Sequence, residues 1–452
     1  MTVRPRKQLH LAALPYAGEG SGADWAGSRV RSQIEFAPFE RLARTAERGL
    51  FDFLLLADEL RLREHRGRIH DLDVAGRPEP VTVLAALAAV TERIGLAATA
   101  DATFNEPYEL ACRLATLDHL SGGRAAWNVA TSQDVCTGGN FRRGDSLGVL
   151  DRVGRHERAA ESVETARELW DSWTPDGVAR PFAHRGRHFD IAGEFGVPRP
   201  PQGHPVVIQA GDSPADREFA ASAADVVLAR HRTPEAGREF YADVKGRLAR
   251  YGRAPEDLRI LPGATFVLGD TAAEAQERAF EMRRQQISPQ LALHALERIW
   301  GTDLSSYDPD GPLPDIDPVT GPEREGPPDL TDLTGPTSPI GPIGLADPTA
   351  LAEEWRALSR AKGLSIRGTV IEASGRQSFI GTPEAVAVEL DEFVRTGAAD
   401  GFVLVPHPAP DGLGEFVDRV VPLLQERGVY RTEYTGTKLR SHLGLPHPVW
   451  KG

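Results

Sequence analysis

The sequence predicts an α/β protein folded as a (β/α)8 barrel. Eight short, nearly continuous apolar segments recur along the chain, the pattern of parallel strands covered on both faces. Stretches with a three-to-four-residue apolar period separate them, as helices packed on those strands would. A doubly wound open sheet is the alternative on periodicity alone. In both folds chemistry sits at the C-terminal ends of the strands.

The predicted strands are 9–13 (LHLAA), 51–56 (FDFLLL), 94–100 (IGLAATA) and 124–130 (RAAWNVA), then 205–210 (PVVIQA), 224–229 (ADVVLA), 260–268 (ILPGATFVL) and 399–405 (ADGFVLV). Among the helices, Phe39, Leu42, Ala43 and Ala46 make one stripe, and residues 153–170 and 383–395 make others. Thr382 precedes Pro383, an N-cap followed by proline at the first helical position.

Residues 301–347 break the alternation, with ten Pro, seven Gly, ten Asp or Glu and one Arg. Neither a strand nor a long helix survives such a composition. The stretch is expected to be an excursion between the seventh and eighth strands, either a lid or a passive, partly mobile surface segment. The helical pattern resumes at 349–362. With that insertion set aside, residues 1–452 read as a single barrel domain. A prior of about 150 residues per domain would have suggested three.

The net charge of −13 argues against a nucleic-acid-binding surface as the main function. The excursion supplies −9 of it, so the rest of the chain is near neutral. No 18-residue apolar run is present to cross a membrane, and the apolar stretch in residues 1–14 is too short for a signal peptide. Cys112 and Cys136 fit a reducing, cytoplasmic compartment. There is no G-x-G-x-x-G, no Walker A loop and no C-x-x-C. His184 and His188 have a metal-compatible spacing but lie in a loop-like stretch with Pro181 and Gly186, so no metal site is expected. With no covalent nucleophile in view, a cofactor is expected to carry the difficult chemistry.

The strand ends hold the candidate residues. Asp58 follows the second strand, either as a helix cap or as an acceptor for cofactor donors. Thr99 ends the third, with Asp101 and Thr103 beyond it. Asn128, Thr131 and Ser132 end the fourth, as turn residues or as a polar wall for a heteroaromatic ring. Trp127 beside them reads as core packing rather than a stacking platform. The fifth ends in Gln209-Ala210-Gly211-Asp212-Ser213-Pro214. Gly211 allows close backbone approach, Ser213 can cap, and the free N–H groups of the following helix could serve a cap or a phosphate.

Several runs together resemble the nitrilotriacetate monooxygenase branch of the bacterial luciferase-like flavin monooxygenases. They are Phe104-Asn105-Glu106-Pro107-Tyr108, the run from Leu117-Asp118 through Ser121-Gly122-Gly123-Arg124 to Ser132, Gln209 to Ser213, Gly381-Thr382-Pro383-Glu384, and Phe416-Val417-Asp418 through Arg431-Thr432-Glu433-Tyr434. The resemblance spans residues 8–300 and 348–445. It implies a barrel that binds FMN non-covalently, as FMNH2, and forms the oxygenase half of a two-component system. A separate NAD(P)H:FMN reductase would supply the diffusing FMNH2. O2 would add at C4a, and the peroxyflavin would oxidise a small organic substrate. A homodimer or homotetramer is implied, with neither nucleic acid nor membrane as partner.

The resemblance also implies where the flavin is held. Asp58 matches the acid beside it, with Thr99 and Asn128 on neighbouring strands. Ser213 matches the serine at the phosphate end, flanked by Gly211 and Asp212. Arg152 and His156 fall where the family carries a His and a Tyr near the phosphate, with Arg155 as a competing choice. Relatives often pair histidines after the first strand, where this chain has Pro15 to Trp25 without one. No catalytic residue is therefore assigned. Two readings stay beside the monooxygenase: a deazaflavin-dependent oxidoreductase of the same superfamily, and a flavin-binding protein without catalysis.

Overall fold

The computed structural model describes residues 7–15, 35–57, 78–131, 152–231, 233–319, 348–373, 377–406 and 412–450. Eight parallel strands close into a barrel. They are β1 (His10–Ala13), β2 (Phe53–Leu56), β3 (Gly95–Asp101), β4 (Ala125–Ala130), β7 (Val206–Ala210), β8 (Val226–Ala229), β9 (Arg259–Leu268) and β11 (Gly401–Leu404). Each pairs with the next, and β11 returns to β1. All eight predicted strands are present, and closure decides for the barrel over the open sheet.

Alternation along each strand sorts the side chains. Ala12, Phe53, Leu55, Ala97, Ala126, Val206, Ile208, Val226, Leu228, Leu261 and Val403 belong to one buried cluster, the barrel interior. Leu439, Leu443 and Leu445, from the C-terminal segment, join it. Leu439 lies against Gly95, the first residue of β3, and so closes the N-terminal end of the barrel. The intervening residues face the helices. Trp127 is fully buried in that outer layer, its Nε1 donating to Ala100 O at 3.0 Å, as expected of a packing residue. Burying one such side chain stabilises by about 1.5–3 kcal/mol.

The helices positioning the site are α1 (Phe36–Arg48), α2 (Pro80–Ala88), α3 (Pro107–Leu120), α4 (Arg152–Asp171), α5 (Pro214–Ala223) and α6 (Pro234–Leu248). After β9 come α7 (Ala272–Gln286), α8 (Pro289–Trp300), α9 (Pro348–Lys362), α10 (Ile366–Ala373) and α11 (Pro383–Arg395). Thr382 caps α11 by accepting from Ala385 N, with Pro383 in its first turn, as its sequence predicts.

Two features depart from expectation. A ninth parallel strand, β10 (Gln377–Gly381), pairs with the C-terminal half of β9; its five residues are too short to show a period. His184 is also not in a loop. It belongs to an antiparallel hairpin, β5 (Phe182–Arg185) and β6 (Asp190–Gly193), which turns through Gly186 to Phe189. Glu161 of α4 organises that turn by accepting from the His188 and Phe189 amides at 2.9 Å.

The first part of the acidic excursion, 301–319, holds neither strand nor helix. It packs on a separate cluster built by α8, α9 and α10. Trp300 Nε1 donates to Ile316 O and Val319 N to Trp300 O, both at 2.8 Å. The Ile366 and Arg367 amides donate to Gly311 and Pro309 carbonyls at 2.8 Å. Residues 320–347 lie outside the described residues, and with them most of the excursion expected to be a lid or a passive surface segment.

Candidate active site at the C-terminal mouth of the barrel

Thr99 and Asn128 continue the inward-facing rows above Ala97 and Ala126. They are direct partners in the β3–β4 register, and Asn128 Nδ2 donates to Thr99 Oγ1 at 2.9 Å. Both are buried, and Asn128 Oδ1 has no hydrogen-bond partner. A buried amide oxygen without a donor is costly, which marks it as an acceptor set aside for a ligand. Beyond them Asp101 accepts from the Thr103 and Phe104 amides at 2.7 and 2.9 Å, folding the chain back toward α3.

The next strand supplies the third wall. Asn128 pairs with Ile208 of β7, so the corner Gly211-Asp212-Ser213 follows on the same side of the mouth. Ser213 is the N-cap of α5 and Pro214 its first residue, as the sequence predicts. The cap is reciprocal. Ser213 Oγ accepts from Asp216 N, while the Ser213 amide and hydroxyl donate to Asp216 Oδ2 at 3.0 and 2.6 Å. The other carboxylate oxygen, Oδ1, meets His156 Nε2 at 2.7 Å and accepts from Gln209 Nε2 at 3.2 Å. Burial works against the charge on Asp216, yet its bonds from His156 and Ser213 hold the carboxyl below its usual range.

Gly211 is required by this arrangement. Its φ is +145°, and a Cβ there would lie 2.4 Å from Asp216 Cγ. Asp212 turns its carboxylate away, accepting from the Arg230 amide at 3.2 Å. Burial pushes its carboxyl up, with Arg230 pulling the other way.

Of the sequence candidates, Thr99, Asn128, Gly211, Asp212, Ser213 and His156 thus lie on β3, β4, the β7–α5 corner and the adjoining α4. His156 reaches the corner through Asp216. Arg152 opens α4, but its side chain lies outside the described residues, as do Asp58 and Ser132. His184 bonds Glu168 at 2.8 Å and Glu161 at 3.3 Å, and no metal-binding cluster occurs among the described residues. Nor is any described helix long and apolar enough to cross a membrane. Asp216 was not anticipated, although the spacing Ser213-x-x-Asp216 is a capping-box signal that could have found it.

Comparisons with known proteins agree with the barrel fold. The luciferase-like monooxygenase family matches residues 20–400. The chain is 39% identical to nitrilotriacetate monooxygenase component A of Aminobacter aminovorans, over 98% of this chain and 97% of that one. It is equally similar, at 39%, to N-acetyl-S-(2-succino)cysteine monooxygenase of Bacillus subtilis, over 98% of each. Among solved structures, a riboflavin lyase with modified FMN and substrate riboflavin superposes with a TM-score of 0.76 at 26% identity, covering 98% of both chains. A barrel closed by eight parallel strands and matches over nearly the whole length place this chain in the luciferase-like monooxygenase family.

Proposed function

We propose that this chain is the oxygenase component of a two-component, FMN-dependent monooxygenase, receiving FMNH2 from a separate NAD(P)H:FMN reductase and acting on a small organic substrate. The observation that carries the reading is Asn128 Oδ1, a buried acceptor left without a donor on the inner wall of the mouth. The isoalloxazine ring bears the kind of N–H such an acceptor requires.

The residues present fit the ring end of a flavin. Asn128 would accept from the ring, and Thr99 fixes its amide by accepting from Nδ2. Ala97, Ala126, Ile208 and Leu228 form the apolar interior on which it would rest, keeping bulk water from the reaction. Asp58 and Arg152 complete the proposed contacts, with Gly211, Asp212, Ser213 and His156 at the far end. That far end fits a phosphate less well, because Ser213 and His156 already bond Asp216. Bound FMNH2 supplies the two electrons with which O2 is divided between substrate and water. Residues 1–452 are taken as one barrel domain carrying the 301–347 excursion.

The test is anaerobic titration with FMNH2, followed by 18O2 turnover of candidate substrates with a flavin reductase added. One labelled oxygen per product is expected. Failure to bind FMNH2 sinks the reading.

A further inference from the structure

The feature left unexplained at the mouth is the convergence on Asp216. Its carboxylate, 6% exposed, gathers the Ser213 amide, the Ser213 hydroxyl, Gln209 Nε2 and the His156 imidazole. A capping box needs only the exchange with Ser213. The bonds from Gln209 and His156 come from β7 and α4, and Gly211 adopts a backbone that leaves room for the carboxylate. Three elements therefore converge on an anion that belongs to the chain itself. The groups it holds include Ser213 and His156, which a phosphate at this corner would need.

We propose that Asp216 is a built-in anion competing with the flavin phosphate for Ser213 and His156. The flavin is then held chiefly by its ring end, and FMN is only weakly distinguished from riboflavin. This rests on the flavin reading above and deepens it. Like charges in one small site oppose each other, so the phosphate enters only by displacing the carboxylate. The arrangement suits a flavin that arrives from and returns to another protein.

The experiment is anaerobic titration of the full chain with reduced FMN and, separately, reduced riboflavin, for wild type and Asp216→Asn. Wild type is expected to favour FMN by no more than about threefold, and Asp216→Asn to raise FMN affinity about tenfold while leaving riboflavin affinity unchanged. Two results overturn the inference alone. One is a wild-type preference for FMN of about a hundredfold, which needs no variant to be folded. The other is unchanged or weaker FMN binding by Asp216→Asn, with riboflavin affinity and melting temperature retained. If wild type binds neither flavin, the flavin reading falls and this inference with it.

Discussion

Asn128 and Thr99 face each other across β4 and β3, joined by a 2.9 Å hydrogen bond that leaves Asn128 Oδ1 buried without a donor. An orphaned acceptor of this kind costs about 1–3 kcal/mol, a cost that a bound ring N–H would remove. Asn128→Leu keeps the volume and deletes the acceptor. The melting temperature of the unliganded chain should stay level or rise. Reduced-flavin affinity should fall by at least about tenfold. A clear loss of stability with flavin binding intact would instead make Asn128 a structural residue.

At the opposite end of the barrel a buried charge is held in place. Asp52 accepts from the Leu11 amide at 2.9 Å and meets His10 Nδ1 at 3.2 Å and the Arg431 guanidinium. Burial opposes its charge, but Arg431 and His10 bring its pKa to about 2 from 3.8. A depressed carboxylate contributes stability above its unfolded pKa and loses it as pH falls toward the folded one. Arg431→Met strands the carboxylate and should destabilise by about 3–5 kcal/mol at neutral pH in urea unfolding. The deficit should shrink as the solution is acidified, because a protonated Asp52 no longer needs the cation. A deficit independent of pH would assign the loss to packing instead.

Much of the fold was legible because each barrel strand is a nearly continuous apolar run, whereas β10 rests on a partner distant in sequence and the hairpin turn is held by Glu161 of α4. The signature from Leu117 to Ser132 was legible as a motif but not as two sites. Its first half lies at the closed end of the barrel. There Asp118 accepts from the Ala125 and Gln202 amides and Arg124 donates to the Ala88, Thr91, Ile94 and Ser121 carbonyls. Only the strand leading to Asn128 reaches the mouth. Asp216 was missed for a related reason: its role depends on His156, sixty positions away.

That division makes a prediction about Gly123. Its φ is +97°, a conformation that L side chains rarely adopt, and a Cβ would sit 3.0 Å from Lys438 Cγ. Gly123→Ala should therefore cost about 1–3 kcal/mol of stability. Flavin affinity, measured below the melting transition, should not change. Weakened flavin binding in a folded variant would show that the closed end communicates with the mouth.

The hairpin β5–β6 offers a pH-dependent handle. His184 is set between Glu168 and Glu161, and although burial opposes its charge, their hydrogen bonds raise its pKa above the usual 6.5. The sign follows from linkage. A histidine with a raised folded pKa contributes stability that is complete below the unfolded value and disappears as pH rises through the folded one. Glu161 also accepts from the His188 and Phe189 amides, so losing the imidazolium loosens the turn as well as the strand. Amide exchange across 182–193, expressed as protection factors to remove intrinsic base catalysis, should show less protection at about pH 9 than at about pH 6. His184→Gln retains a hydrogen-bonding side chain without the titration and should flatten that dependence. Protection factors that do not change with pH in the wild-type chain would mean that packing against α4, rather than the charge on His184, holds the hairpin closed.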